Sequence, residues 1–132
     1  MGTPGITARV CEFASSLKME DVPGPVGERA CLLIADSVGV AIRARHEAES
    51  TPALLAAVKR LGMEKGEAAV FADSKGYTFP AAALVNGALI HSLDFDDTHI
   101  AATVHPSAPV LAAALAGGQM AQARGEQVLA GV

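Results

Sequence analysis

The sequence predicts a mainly α protein with, at most, a short β-hairpin near residues 68–79, and three observations carry that expectation. Apolar residues make up 51% of the 132-residue chain, and much of that share is alanine, which suits closely packed helices better than a sheet core. Apolar positions recur at helical spacing over most of the length, and prolines and glycines divide the pattern into separate elements. The stretch from Glu64 to Phe79 changes that pattern.

Val10, Phe13, Ala14 and Leu17 give a first helix from about Thr7 to Met19. It stops at Asp21-Val22-Pro23-Gly24-Pro25, where two prolines and a glycine forbid continuation. A longer helix should span roughly Val26 to Arg45. Val26, Ala30, Leu33, Ile34, Val38 and Ala41 form its stripe, and Arg43 and Arg45 suit its C-terminal end. Gly39 lies inside that stripe, which predicts close contact with another helix there. Ser50-Thr51-Pro52 reads as a helix start, a hydroxyl cap with proline in the first turn. Leu54, Leu55, Val58 and Leu61 supply the apolar face and Gly62 the end.

Ala69-Val70-Phe71 and Tyr77-Thr78-Phe79, separated by Asp73-Ser74-Lys75-Gly76, make the candidate hairpin. Pro80 opens another helix, Ala81 to about Leu93, apolar nearly all round and therefore buried. Asn86-Gly87 within it points to close packing, with Asn86 bonded to backbone. Asp94 to Val104 reads as a loop. His105-Pro106-Ser107 starts the next helix with Pro106 at its first position, and Ala108 to about Ala123 continues it. Glu126 to Val132 begin a further helix that stops without a cap, and nothing repeats at a fixed period.

Composition removes several function classes. A formal net charge of -4, with ten scattered Lys and Arg, gives no basic footprint for nucleic acid. Two cysteines, Cys11 and Cys31, are too few for a disulfide framework and read as reduced core thiols. Met1 to Ile6 lacks the basic and apolar pattern of a leader, and no apolar run approaches the ~18 residues of a membrane span. The expectation is a soluble, cytoplasmic chain with no membrane partner.

The chemistry is concentrated between Asn86 and Ser107. Asp94, Asp96 and Asp97 crowd together, flanked by His91 and His99 and followed by His105. Like charges oppose each other's ionisation, so such a cluster needs cations, donors or solvent to compensate. A helix beginning at Pro106 would point free backbone N–H groups at an anion, and a substrate carboxylate is a suitable one. His105 stands at its mouth, placed to hydrogen-bond substrate or to transfer a proton, and Ser107 adds a hydroxyl.

Each of these residues also has a plainer reading. Asp94 could cap nearby N–H groups, and His105 could merely cap its helix. Asp96 and Asp97 read as turn-forming or supporting residues rather than catalytic ones. His91 reads as a satisfied core histidine and His46 as surface, while His99 stays open. Asp94-Phe95-Asp96-Asp97 spells the DxDD pattern of class II terpene cyclases, but no Trp, one Tyr and four Phe are too few to line a carbocation cavity. The aspartates, His99 and His105 could hold a metal in a hydrolase, although the spacing matches no specific metal motif. The last alternative is an inactive helical fragment that only packs or self-associates through sticky apolar faces.

Asn86-Gly87-Ala88, then His91-Ser92-Leu93-Asp94-Phe95-Asp96-Asp97-Thr98-His99, then His105-Pro106-Ser107 and an alanine-rich helix form an ordered set. That set resembles the signature of the MmgE/PrpD family, which includes 2-methylcitrate dehydratase, cis-aconitate decarboxylase and iminodisuccinate epimerase. Leu33-Ile34-Ala35-Asp36-Ser37-Val38-Gly39-Val40-Ala41 resembles the family's early helix, and Phe79-Pro80-Ala81-Ala82-Ala83-Leu84 its lead-in to the signature.

The resemblance implies that residues 1–132 are the N-terminal segment of a large all-helical domain, with the remainder and an α/β lid domain outside this sequence. It implies a lyase or isomerase on small polycarboxylic acids, working by proton abstraction next to a carboxylate, without metal or organic cofactor, commonly as a homodimer. Asp94 and His105 would fall on catalytic positions and Thr98 on a substrate contact, with Ser107, Asp97 and His99 as further substrate-binding candidates. The family's further histidine, lysines and tyrosine have no counterpart before Val132, so the expectation is an incomplete catalytic unit.

Overall fold

The computed structural model describes residues 5–132, which form α1 (Ile6–Ser16), a short 3-10 turn (Met19–Asp21), α2 (Gly24–Glu47), α3 (Thr51–Arg60), β1 (Ala68–Ala69), β2 (Gly76–Tyr77), α4 (Phe79–His91), α5 (Ser107–Met120) and α6 (Gly125–Ala130). The mainly α expectation holds, and the hairpin is real. It is shorter and earlier than its sequence pattern suggested, pairing Ala68 with Tyr77 and Ala69 with Gly76 in antiparallel register. Phe79, expected at the end of a strand, is instead the first residue of α4, because Pro80 presets the helical φ. No helix among the described residues is long and apolar enough to cross a membrane. The leader reading of Met1 to Ile6 falls mostly on residues 1–4, outside the described residues.

Helix α4 lies at the centre, packed against α2, α3, α5 and β1. Its all-round apolar sequence is what such a position requires. Val85, Leu89 and Ile90 are fully buried, each contributing about 1.5–3 kcal/mol relative to an exposed side chain. Asn86 is the polar exception, and both ends of its amide are bonded. Its Nδ2 donates to the Ala69 carbonyl at 3.0 Å, and its Oδ1 accepts from the Phe71 amide at 2.9 Å, which ties α4 to the hairpin. Beside it, a Cβ on Gly87 would stand 3.4 Å from both the Ala108 carbonyl oxygen and the Ala112 Cβ. The absent side chain lets α4 and α5 approach, as the sequence suggested.

Helix α2 runs longer than its pattern suggested and buries a stripe of small residues. Gly27, Ser37, Ala41, Ala44 and, just past the helix, Ala48 are buried, with Ala30 and Ile34 half-buried between them at spacings of three and four. Val26, expected on that stripe, is exposed. Gly39 is exposed as well, and a Cβ there would meet nothing within 4 Å among the described residues, so the expected helix contact is absent.

Helix α3 closes at Gly62, whose φ of 70° suits a glycine. The Gly62 amide donates to Lys59 and the Met63 amide to Val58, a Schellman ending. At its start the expected hydroxyl cap does not form. Ser50 adopts a helical backbone and its Oγ lies 3.2 Å from Ser92 Oγ, while Thr51 Oγ1 donates to the Ala44 carbonyl at 3.0 Å.

Helix α1 buries none of its residues, and Val10 and Phe13 remain exposed. Cys11 and Cys31 are exposed too, which corrects their reading as core thiols. Both lie on helix faces that nothing among the described residues covers; amphipathic spacing identifies a face without saying whether it has a partner.

Candidate active site

The candidate site occupies the connection between the C-terminus of α4 and the N-terminus of α5. His91 is the last residue of α4. Two residues beyond the Ser92 cap, Asp94 takes a left-handed backbone (φ 56°), and its amide donates to the His91 carbonyl at 3.0 Å. Aspartate tolerates this conformation better than most residues, and a strained non-glycine position is a feature seen often at functional sites. The bend carries Phe95 outward and Asp96 inward.

The chain then forms a closed loop. The His99 amide donates to the Val104 carbonyl at 2.8 Å, and the Ala102 amide donates to His99 Nδ1 at 3.2 Å. This closure returns His105 to Thr98, whose Oγ1 lies 3.5 Å from His105 Nδ1. The Ser107 amide, at the first residue of α5, donates to Asp97 Oδ1 at 3.2 Å. The anion at that helix end is therefore one of the chain's own carboxylates, and the favourable dipole interaction helps hold the loop.

At the centre is Asp96. Its side chain is 0% exposed, with His91 Nδ1 3.0 Å from Oδ2 and His105 Nδ1 3.5 Å from Oδ1. The two rings stand 5.0 Å apart, centroid to centroid, inclined at 60°. Burying a carboxylate is costly without compensating donors, and these imidazoles are the side chains within reach of it among the described residues. His91, Asp94, Asp96 and His105 each offer one ligand atom lying within 4.8 Å of the others. Beside them runs an open, mostly apolar groove of about 590 Å³, bounded by Leu84, Gly87, Val104 and Pro109 and floored by the two histidines. An imidazole pair lining such a groove, with an exposed carboxylate close by, can exchange protons with a bound molecule.

Asp94 and His105 thus come together, with Thr98 against His105. Ser107 is buried at the helix start, Asp97 is engaged with its amide, and His99 faces its own turn. Two members of the cluster were not among the catalytic or substrate-binding candidates. His91, expected in the core, has a side chain 54% exposed, because α4 ends just where its buried face gives way to the loop. Asp96, expected to be supportive, is the buried hub. The available signal was a histidine in the last turn of a helix with an aspartate five positions later, beyond the left-handed Asp94.

Residues 8–132 match the MmgE/PrpD N-terminal domain. A cis-aconitate decarboxylase-like protein of Aspergillus oryzae is 32% identical over 122 residues, covering 92% of this chain and 25% of that protein. The cis-aconitate decarboxylase of Aspergillus terreus is 30% identical over 124 residues, covering 94% of this chain and 25% of its own. The chain therefore spans about a quarter of the length of these relatives. No solved structure matches it. With the match running over nearly its whole length, the chain belongs to the MmgE/PrpD family, through that family's N-terminal domain.

Proposed function

We propose that this domain supplies the proton-handling part of a cofactor-independent lyase or isomerase, a dehydratase, decarboxylase or epimerase acting on small polycarboxylic acids. The observation that carries the reading is the convergence of Asp94 and His105 with Asp96 and His91, ligand atoms within 4.8 Å of one another, where the two histidines line one open groove. Family membership supports lyase chemistry, and the names of the Aspergillus relatives favour a substrate of the cis-aconitate class. Since the chain spans a quarter of those relatives, the proposal draws the groups that neutralise the remaining substrate carboxylates from outside these residues.

In this scheme Asp94 and His105 divide the roles of acid and base, and Thr98 and Ser107 contact substrate. For dehydration, the base takes the proton next to a carboxylate and the acid protonates the departing hydroxide. For decarboxylation, the carbon–carbon bond breaks, CO2 leaves, and the electron pair left behind takes a proton from the acid. For epimerisation, a proton leaves one face and another returns to the opposite one. Each route builds negative charge that preorganised donors must meet. Alanine at the residues matching Asp94 or His105 in a full-length relative should lower turnover by about 10²–10⁴-fold. The melting temperature should stay within a few degrees, and undiminished rates would reject those roles. A cytoplasmic homodimer is part of the same proposal.

A metal-dependent hydrolase is a second reading, favoured by the mixed donor set of two imidazoles and two carboxylates within 4.8 Å. Dialysis against zinc or manganese tests it. A stoichiometric ion that is lost in His91→Ala would favour the hydrolase, and no retained ion would remove it.

A further inference from the structure

We infer that Asp96 is a positioning residue that locks both His91 and His105 in the Nδ1–H tautomer, so that each presents an unprotonated Nε2 when the ring is neutral. The Asp96 side chain is 0% exposed; His91 Nδ1 hydrogen-bonds with it, 3.1 and 3.0 Å from its two oxygens, and His105 Nδ1 stands 3.5 Å from Oδ1, within the reach of its charge. An ionised carboxylate accepts and cannot donate. A lone pair on either Nδ1 would face that negative charge at close range, whereas an N–H there is attracted to it. The neighbouring Thr98 Oγ1, 3.5 Å from His105 Nδ1, can accept from the same N–H. One buried carboxylate therefore decides the protonation pattern of two rings that line one groove.

The consequence for chemistry rests on the functional reading given above: a base at His105 then acts through Nε2, and His91 offers a second nitrogen of the same kind beside it. The structure also contains a ring expected to behave oppositely. His99 Nδ1 accepts from the Ala102 amide, which requires the Nε2–H tautomer when that ring is neutral.

Long-range 1H–15N correlation of the histidine side chains tests the inference on this protein directly. The measurement is made about two pH units above the ordinary histidine value of ~6.5, where free imidazole is neutral. Pyrrole-type Nδ1 and pyridine-type Nε2 are expected for His91 and His105, with the reverse for His99. In Asp96→Asn the charge that attracts both N–H groups is lost, and the amide NH2 replaces one of the two oxygens within 3.1 Å of His91 Nδ1, so the share of the Nε2–H tautomer should rise at one ring at least. The backbone amide spectrum reports whether that variant stays folded; if it does not, the wild-type pattern with His99 as reference still decides. Nε2–H signals at His91 and His105 in the wild type would overturn the inference, as would a folded Asp96→Asn protein with an unchanged pattern. Failure of the proposed function would look different: the expected tautomers together with full turnover in the enzyme lacking the matching His105.

Discussion

Replacing Asp73 with asparagine probes the most heavily bonded carboxylate of the fold. Asp73 sits in the turn between β1 and β2, its side chain only 7% exposed. It accepts from Arg45 Nη2 at 3.0 Å, from the Tyr77 hydroxyl at 2.9 Å and from the Lys75 amide at 3.0 Å, joining α2 to the hairpin. Burial alone would push its pKa up, but the donors at Lys75, Tyr77 and Arg45 outweigh it and hold the carboxyl below 3.8.

Breaking a fully buried pair costs about 3–5 kcal/mol, and charge-assisted hydrogen bonds carry about 1.5–3 each. The Arg45 side chain is 26% exposed, so water recovers part of its loss and the amide keeps one acceptor. The expected loss is therefore about 2–3 kcal/mol at neutral pH, or a fall of about 1 M in the urea midpoint. A depressed carboxylate stabilises the fold above its unfolded pKa, and that stabilisation is lost as pH falls through the folded value. Urea titrations followed by circular dichroism should therefore show wild type and Asp73→Asn converging as pH drops below 3.8. A gap that is absent at neutral pH, or that persists undiminished in acid, would refute the reasoning.

Asn86→Leu removes both bonds to Ala69 and Phe71 and leaves a backbone donor and acceptor unpaired, so it should cost about 2–4 kcal/mol by the same urea assay. Gln122 ends α5 at φ 51°, with its amide donating to Gln119 and the Ala123 amide to Gly118, so Gln122→Gly should gain about 0.5–1 kcal/mol in thermal melts. Burial, and then the Asp73 carboxylate, push the Tyr77 phenol up from 10.0 to about 12. Its stabilisation is complete below pH 10.0 and disappears as pH rises through about 12, so Tyr77→Phe should flatten the alkaline loss of melting temperature.

The helices were legible because each rests on local periodicity and on breakers at its ends. Gly62, Pro80 and the Asn86-Gly87 pair carried their structural roles in their residue types. What the chain did not reveal locally was which faces find partners. Gly39, Cys11 and Cys31 looked interior by their apolar neighbours, yet the described residues leave them open. Ser50 had the right chemistry for a cap, but a hydroxyl across the fold at Ser92 engages it instead. In the site, Asp94, Thr98 and His105 stood out as types and as a family pattern. The hub role of Asp96 depends on a left-handed turn at Asp94 and on the closure of His99 against Val104, neither of which a linear spacing records.

The central claim is that the acidic bend and the histidine at the head of α5 form one face of a polycarboxylate site. Titrating the protein with cis-aconitate while following its imidazole carbon–proton signals tests this most directly. The account predicts saturable movement of His105 and His91, with half-saturation near 1 mM or above for a partial site, while the exposed His46 stays still. Movement of His46 alone, or saturation that leaves His105 untouched, would contradict it.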